Sequence, residues 1–197
     1  VKNIFRGSYI LTETQLIKKA QAGEEEAFRE LVDTHQSKVY NLLLGMLRSP
    51  ELADDITQET FIKAWKNLPR FRLESSFWTW LYRIAYRSAL DYLKLRKLEV
   101  GYLAEEDQNL GGANEDEPLE IIMKKNKKQE LIGALQELSF HKRAAIILYY
   151  FQGLSYNEIS AVTKRRLGSI RTDLHRGKIK LREILCRKWG LQDGTKG

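Results

Sequence analysis

Between Phe71 and Leu95, in the run FRLESSFWTWLYRIAYRSALDYLKL, apolar side chains return at every third or fourth position. An α-helix advances about 100° per residue, so from Ser76 onward Phe77, Leu81, Ile84, Ala85, Ser88, Tyr92 and Leu95 fall on one side. That side is apolar enough to be buried, so the helix needs partners. A second stripe runs beside it, made of Trp80, Arg83, Arg87 and Lys94 and interrupted by Asp91. A solvated helix face usually alternates lysine with glutamate, whereas this one groups an indole with guanidinium groups, a surface suited to stacked bases and phosphates. The preceding segment, Arg70 to Ser76, mixes two arginines, Phe71 and small polar residues, and reads as a shaped loop entering the helix. Trp78 and Trp80 also admit the plainer reading of core residues in a helical bundle; the basic stripe beside them favours nucleic acid.

The rest of the chain supplies helical partners, and an all-α fold is expected. Thr12 can cap a short helix ending near Gly23, with Leu16, Ile17 and Ala20 inward. A second helix, about 24–47, carries Ala27, Phe28, Leu31, Val32, Val39, Leu42, Leu43 and Met46. Ser49-Pro50-Glu51 is a serine cap followed by proline at the first helical position, opening a helix to about Asn67. On that helix Ala53, Ile56, Thr60 and Ala64 share one face, while Asp55, Gln58, Glu59 and Ile62 lie on another. Helix-end preference accounts for Glu51 and Asp54. Glu59 sits mid-helix, and a docking face for a positively charged protein accounts for it better than charge balance does.

Charge divides the chain. Lys and Arg outnumber Asp and Glu by 16 to 12 in residues 1–97 and by 17 to 6 in 121–197, whereas 98–120 holds eight acidic residues and no basic one. Two basic blocks flanking an acidic bridge fit two small helical domains that meet one polyanion. The bridge, with Gly101, Gly111, Gly112, Asn109, Asn114 and Pro118, reads as a solvated linker.

In the second block, Lys124–Leu138 turns Leu131, Ile132, Leu135 and Leu138 inward, and His141–Phe151 turns Ala144, Ile147 and Leu148 inward. Ser155 and Glu158 form a capping box that opens a short helix to about Val162. After a turn at 163–166 a longer basic helix starts near Leu167 and runs to the region of Trp189. Two helices joined by a tight turn, the second rich in Arg and Lys, are a helix-turn-helix signal. Ser169, Arg171, Thr172, Asp173, His175 and Arg176 are expected to project from the early turns of the recognition helix, with Ile170 and Leu174 holding it to the domain.

The runs LADDITQETFIKAWKNLPRF and SSFWTWLYRIAYRSALDYLK closely resemble the DNA-melting domain of bacterial extracytoplasmic-function sigma factors of the sigma-70 family, and the C-terminal block resembles their −35-binding domain. The resemblance implies an RNA polymerase sigma factor with a region 2-like domain at 1–97, an acidic linker at 98–120 and a region 4-like domain at 121–197. It implies that Asp55, Gln58, Glu59 and Trp65 meet the coiled coil of the polymerase β′ clamp. Arg70, Phe71, Arg72, Glu74, Ser75, Ser76, Trp80, Arg83 and Arg87 are then expected at −10 DNA, and Ser169, Arg171, Thr172, His175 and Arg176 at −35 DNA. The implied partners are core polymerase (β′ clamp and β flap), promoter DNA and an anti-sigma factor, which in the family is often tied to the membrane; the implied linker path runs through or near the active-site and RNA-exit channels. Two departures stand out. The turn glycine is Lys164, which must either accept an unusual backbone geometry or sit in a differently built turn. The frequent second arginine is Asp173, which can accept from cytosine N4 or fix a neighbouring arginine.

Other classes fit less well. A two-domain regulator that binds duplex DNA without polymerase explains the helix-turn-helix but not Asp55-Gln58-Glu59 or the aromatic helix. An enzyme lacks its usual signs. His35, His141 and His175 have no zinc spacing, no phosphate-binding glycine loop occurs, and Asp54 and Asp55 point about 100° apart. No cofactor or metal is expected. Cys186 is the single cysteine, which excludes an internal disulfide. No apolar run reaches the roughly 18 residues that span a bilayer, and no signal peptide is apparent, so a cytoplasmic chain without direct membrane insertion is the expectation.

Overall fold

The computed structural model describes residues 11–47, 49–100 and 128–189. Thr12 caps α1 (Glu13–Gln21) in a reciprocal pair with Gln15, and the chain turns through Gly23 at φ 96° into α2 (Glu25–Leu47). Ser49 accepts from the Leu52 N–H at 3.1 Å and so caps α3 (Pro50–Asn67), with proline in the first turn as expected. A 3₁₀ turn (Leu68–Arg70) leads through a loop into α4 (Phe77–Val100). Leu31, Val39, Leu42, Leu43 and Met46 of α2, Ala53, Ile56 and Ala64 of α3, and Leu81, Ala85 and Ala89 of α4 form the buried interior of this first domain.

The second domain contains α5 (Lys128–Gln136), α6 (Phe140–Ile146) with a π-helical turn at Ile147–Phe151, α7 (Tyr156–Thr163) and α8 (Leu167–Trp189). Its core is Leu135, Leu138, Ala144, Ile146, Leu148, Ile159, Val162, Ile170, Leu174, Leu181, Ile184 and Leu185. The two domains pack on each other, α4 against α7 and α2 against α6. Gly45 permits this approach, because a Cβ there would come within 2.7 Å of Ile147 Cδ1.

The inward side of α4 differs from the expected one. Leu95 is 62% exposed, on the part of α4 beyond the bundle, while Tyr82 and Tyr86 are buried. Their burial comes from the second domain, which a single-helix period does not contain. The acidic bridge lies outside the described residues except for the end of α4, which carries helical backbone to Val100; 121–127 also lie outside.

Candidate nucleic-acid interface

The loop before α4 is pinned from below. The Gln21 side-chain amide donates to the carbonyls of Leu68 (3.0 Å) and Phe71 (2.7 Å). Phe71 is buried, its ring 4.8 Å from Trp80 and 6.0 Å from Phe77. Trp80 is itself half-buried and 5.6 Å from Phe77, so three rings support the loop from inside. Above them Arg70, Arg72 and Glu74 are exposed and Ser75 is half-buried. Arg72 and Glu74 approach only to 3.9 Å, a weak surface pair. Leu73, at φ 58°, occupies the left-handed region, which a branched side chain enters at a cost of about 1 kcal/mol or more. Ser76 caps α4, its Oγ accepting from Thr79 N–H at 3.2 Å.

Along α4 the expected basic stripe splits. Arg87 is exposed. Arg83 is half-buried, and its Nε donates to the Ala161 carbonyl of α7 at 3.0 Å. Tyr82 donates to Gln152 Oε1 at 2.5 Å, and the Tyr86 hydroxyl lies 3.0 Å from His141 Nδ1. Burial pushes both phenols up, that of Tyr86 to about 12. Burial also lowers His141, and nearby Arg165 lowers it further. Trp78 packs 5.1 Å from the Tyr82 ring, edge-on to His35 at 4.1 Å and under the Lys38 ammonium at 4.2 Å. His35 is buried. Its Nε2 is 3.0 Å from Glu13 Oε1 but misaligned for a full hydrogen bond, and desolvation lowers its pKa against the pull of Glu13.

On α3, Asp55 and Gln58 are exposed beside Ile62, which is 56% exposed. Gln58 donates to Asp54 at 2.9 Å, and Glu59 pairs with Lys63 at 2.6 Å. That (i, i+4) pair gives Glu59 a local partner. Trp65 packs on Phe28 at 4.8 Å and ties α2 to α3.

In the helix-turn-helix the Ser155–Glu158 capping box opens α7. Lys164 takes the left-handed conformation (φ 58°, ψ 26°), the first of the two geometries considered for that departure. The Ser160 hydroxyl donates to the Arg165 carbonyl at 2.6 Å and tightens the turn. Asp173 does not project from the recognition helix: it is buried, and its carboxylate pairs with the Arg165 guanidinium across the turn. Arg171 and Thr172 are exposed on α8, and Ser169, His175 and Arg176 are half-buried. Thr172 donates its hydroxyl back to Gly168 at 3.0 Å. Gln21, Tyr82, Tyr86, His141 and Gln152 escaped sequence reasoning; the (i, i+4) tyrosines were the one available signal.

Among the described residues no helix is long and apolar enough to cross a membrane, and no cluster of potential metal ligands occurs. A profile of Sigma-70 region 2 matches residues 31–98, and one of Sigma-70, region 4 matches 128–181. The chain is 33% identical over 175 residues to the ECF RNA polymerase sigma-E factor of Escherichia coli (strain K12), covering 85% of this chain and 91% of that protein. It is 31% identical over 171 residues to the RNA polymerase sigma-H factor of Pseudomonas aeruginosa, covering 83% and 89%. The fold is similar to the sigma factor RpoE of Bartonella quintana, solved with the anti-sigma factor NepR (TM-score 0.63, 24% identity, 80% of this chain and 96% of that one). It is also similar to CnrH, solved with the cytosolic domain of CnrY (TM-score 0.61, 22% identity, 86% and 94%). The two region matches in this order, with a relative one-third identical over most of both lengths, place the chain in the sigma-70 family as an ECF RNA polymerase sigma factor.

Proposed function

We propose that this sigma factor divides its work among three surfaces. Asp55, Gln58, Glu59 and the exposed Ile62 on α3 dock on the β′ clamp of core polymerase, with Trp65 setting the helix that presents them. Residues 70–76 and the outer edge of α4, including Arg83 and Arg87, receive the separated −10 strand. Arg171, Thr172, Ser169, His175 and Arg176 meet the −35 duplex, with the β flap holding this domain on the enzyme. The three-ring support beneath residues 71–76 carries the reading: a loop strained at Leu73 and braced by Phe71, Phe77 and Trp80 is prepared for a ligand before it arrives. Extruding a base costs a few kcal/mol, and stacking returns about 1–3 kcal/mol per base, so binding energy drives opening without ATP.

The chain works in the cytoplasm and is held in reserve by an anti-sigma factor, a reading supported by its structural neighbour RpoE, captured with the anti-sigma factor NepR. Permanganate footprinting with core polymerase and a promoter selected by the holoenzyme tests the reading. Reactive −10 thymines are expected without ATP, and their absence on every selected promoter overturns it.

A further inference from the structure

We propose that Gln21, the last residue of α1, is a positioning residue for −10 opening: its carboxamide holds residues 71–76 in the shape that receives the separated strand. This rests on the reading of that loop given above and extends it to a helix that carries none of the expected DNA contacts. The side-chain amide has two N–H groups, and each meets a backbone carbonyl, Leu68 at 3.0 Å and Phe71 at 2.7 Å. Two acceptors facing one group also fix which end of the carboxamide is nitrogen, because its oxygen would be repelled by both.

The amide arrives there with little freedom. Ile17 and Ala20 are buried and set the face of α1. The helix end is closed by the Gly23 N–H on the Ala20 carbonyl and the Glu24 N–H on that of Lys19, both at 3.1 Å, and Gly23 at φ 96° turns the chain away into α2. Gln21 itself is half-buried. The opposite end of α1 reaches the far side of the loop. Glu13 Oε1 lies 3.0 Å from His35 Nε2, and the His35 ring lies 5.2 Å from Phe77 and 4.1 Å from Trp78, the two residues that open α4. One nine-residue helix therefore braces the loop at both ends, before it at Leu68 and Phe71 and after it at Phe77 and Trp78.

The braced shape is a costly one. Between the Phe71 carbonyl and the Ser76 cap only Arg72, Leu73, Glu74 and Ser75 remain, and Leu73 sits at φ 58°. Such a residue keeps its left-handed conformation only while fixed points on both sides leave it no alternative. Ring packing holds Phe71 in place without direction, whereas a hydrogen bond to its carbonyl sets the direction in which the chain leaves. Without that bond Leu73 relaxes toward extended backbone, and Arg72, Glu74 and Ser75 leave the places they hold for DNA.

Gln21→Met keeps glutamine's length and helix propensity and removes both donors; Gln21→Glu keeps its shape and sets a carboxylate against two carbonyls. Full-length wild type and both variants would be compared. Trypsin under native conditions reads the loop itself, through cleavage after Arg72. Holoenzyme on a promoter that wild type transcribes gives the rate of permanganate-reactive opening, and titrations give affinity for core polymerase and for −35 duplex. Both variants are expected to be cut after Arg72 about fivefold faster and to open the promoter about fivefold more slowly, the worth of one net hydrogen bond, with core and duplex affinities unchanged. Unchanged cutting, or faster cutting beside normal opening, overturns the brace. Opening, core binding and duplex binding that fall together in both variants mark a merely structural residue and overturn it too. Normal opening by wild-type holoenzyme beside such a failure leaves the reading of the loop standing; if that holoenzyme opens no promoter, both fall.

Discussion

The Trp80 indole lies 4.8 Å from the Phe71 ring, at 31° between their planes, and so supports the loop from the protein side. An exposed edge remains, which lets one ring both brace the loop and border bound DNA. Trp80→Ala is expected to cost about 2–3 kcal/mol, below the 3–5 of a fully buried aromatic truncation. It should lower −10 opening more than closed-complex formation, because the loop loses its support. Trp80→Phe should restore most of the stability. Thermal melting beside a permanganate footprint checks both.

Glu59→Lys should weaken core-polymerase binding by about 1–2 kcal/mol, as an interfacial attraction becomes a repulsion. Loss of the Glu59–Lys63 pair should cost only about 0.3–0.5 kcal/mol of stability. Direct titration against core enzyme separates the two; unchanged affinity removes α3 as the docking face.

Asp173→Ala strands the partly buried Arg165 without its carboxylate and should destabilise the second domain by about 1.5–3 kcal/mol. Replacing both residues with apolar ones should recover much of that loss. Since Asp173 is buried, base preference at −35 should survive in the molecules that stay folded. Arg171→Ala, by contrast, should alter preference by about 1–3 kcal/mol with little change in melting. Duplex selection assays with each variant distinguish these outcomes.

Lys164→Gly should stabilise the second domain by about 0.5–1 kcal/mol, because glycine enters φ 58° without steric cost and offsets its greater unfolded-state freedom. Differential scanning calorimetry reads the gain.

Acid should loosen the domain contact through His141. Burial and Arg165 hold its pKa below the ordinary 6.5, with Lys94 acting the same way and Asp173 against them, while Tyr86 faces its Nδ1. The neutral ring is thus favoured in the closed chain. Its contribution is complete above pH 6.5 and declines as pH falls through 6.5 toward the lowered value. Scattering should show expansion over that window, and His141→Gln should flatten it. His35 has a lowered pKa too, so overall stability should still fall with acid in that variant.

Much of this was legible because caps and helical periods are local. Thr12, Ser49 and the Ser155–Glu158 box gave three helix starts, and the position of Lys164 marked the turn before its φ was known. The acidic α3 face followed from helical period, and the exposed Arg171 and Thr172 from the helix-turn-helix pattern. What escaped depends on a second surface. Tyr82 and Tyr86 read as neither core nor stripe because the domain that buries them lies some 60 residues away in sequence. Leu95 read as core because periodicity does not say where a helix leaves its bundle. The family resemblance groups Trp65 with the docking face, yet its ring packs on Phe28. Asp173 offered two partners, and only the folded turn chose Arg165.

The π turn at Ile147–Phe151 has a consequence for how such a chain can vary. Gln152 N–H reaches back to the Ile147 carbonyl at 3.1 Å, five residues rather than four, so the turn holds one residue more than an α-helix would. Everything after it is rotated by about 100° relative to an uninterrupted helix. That phase brings Gln152 to the Tyr82 hydroxyl. Deleting one residue here would let the α-helix run on with its core register upstream intact, while swinging Gln152 away from its partner. A related chain one residue shorter at this turn would keep both domains and lose the Tyr82–Gln152 bond between them.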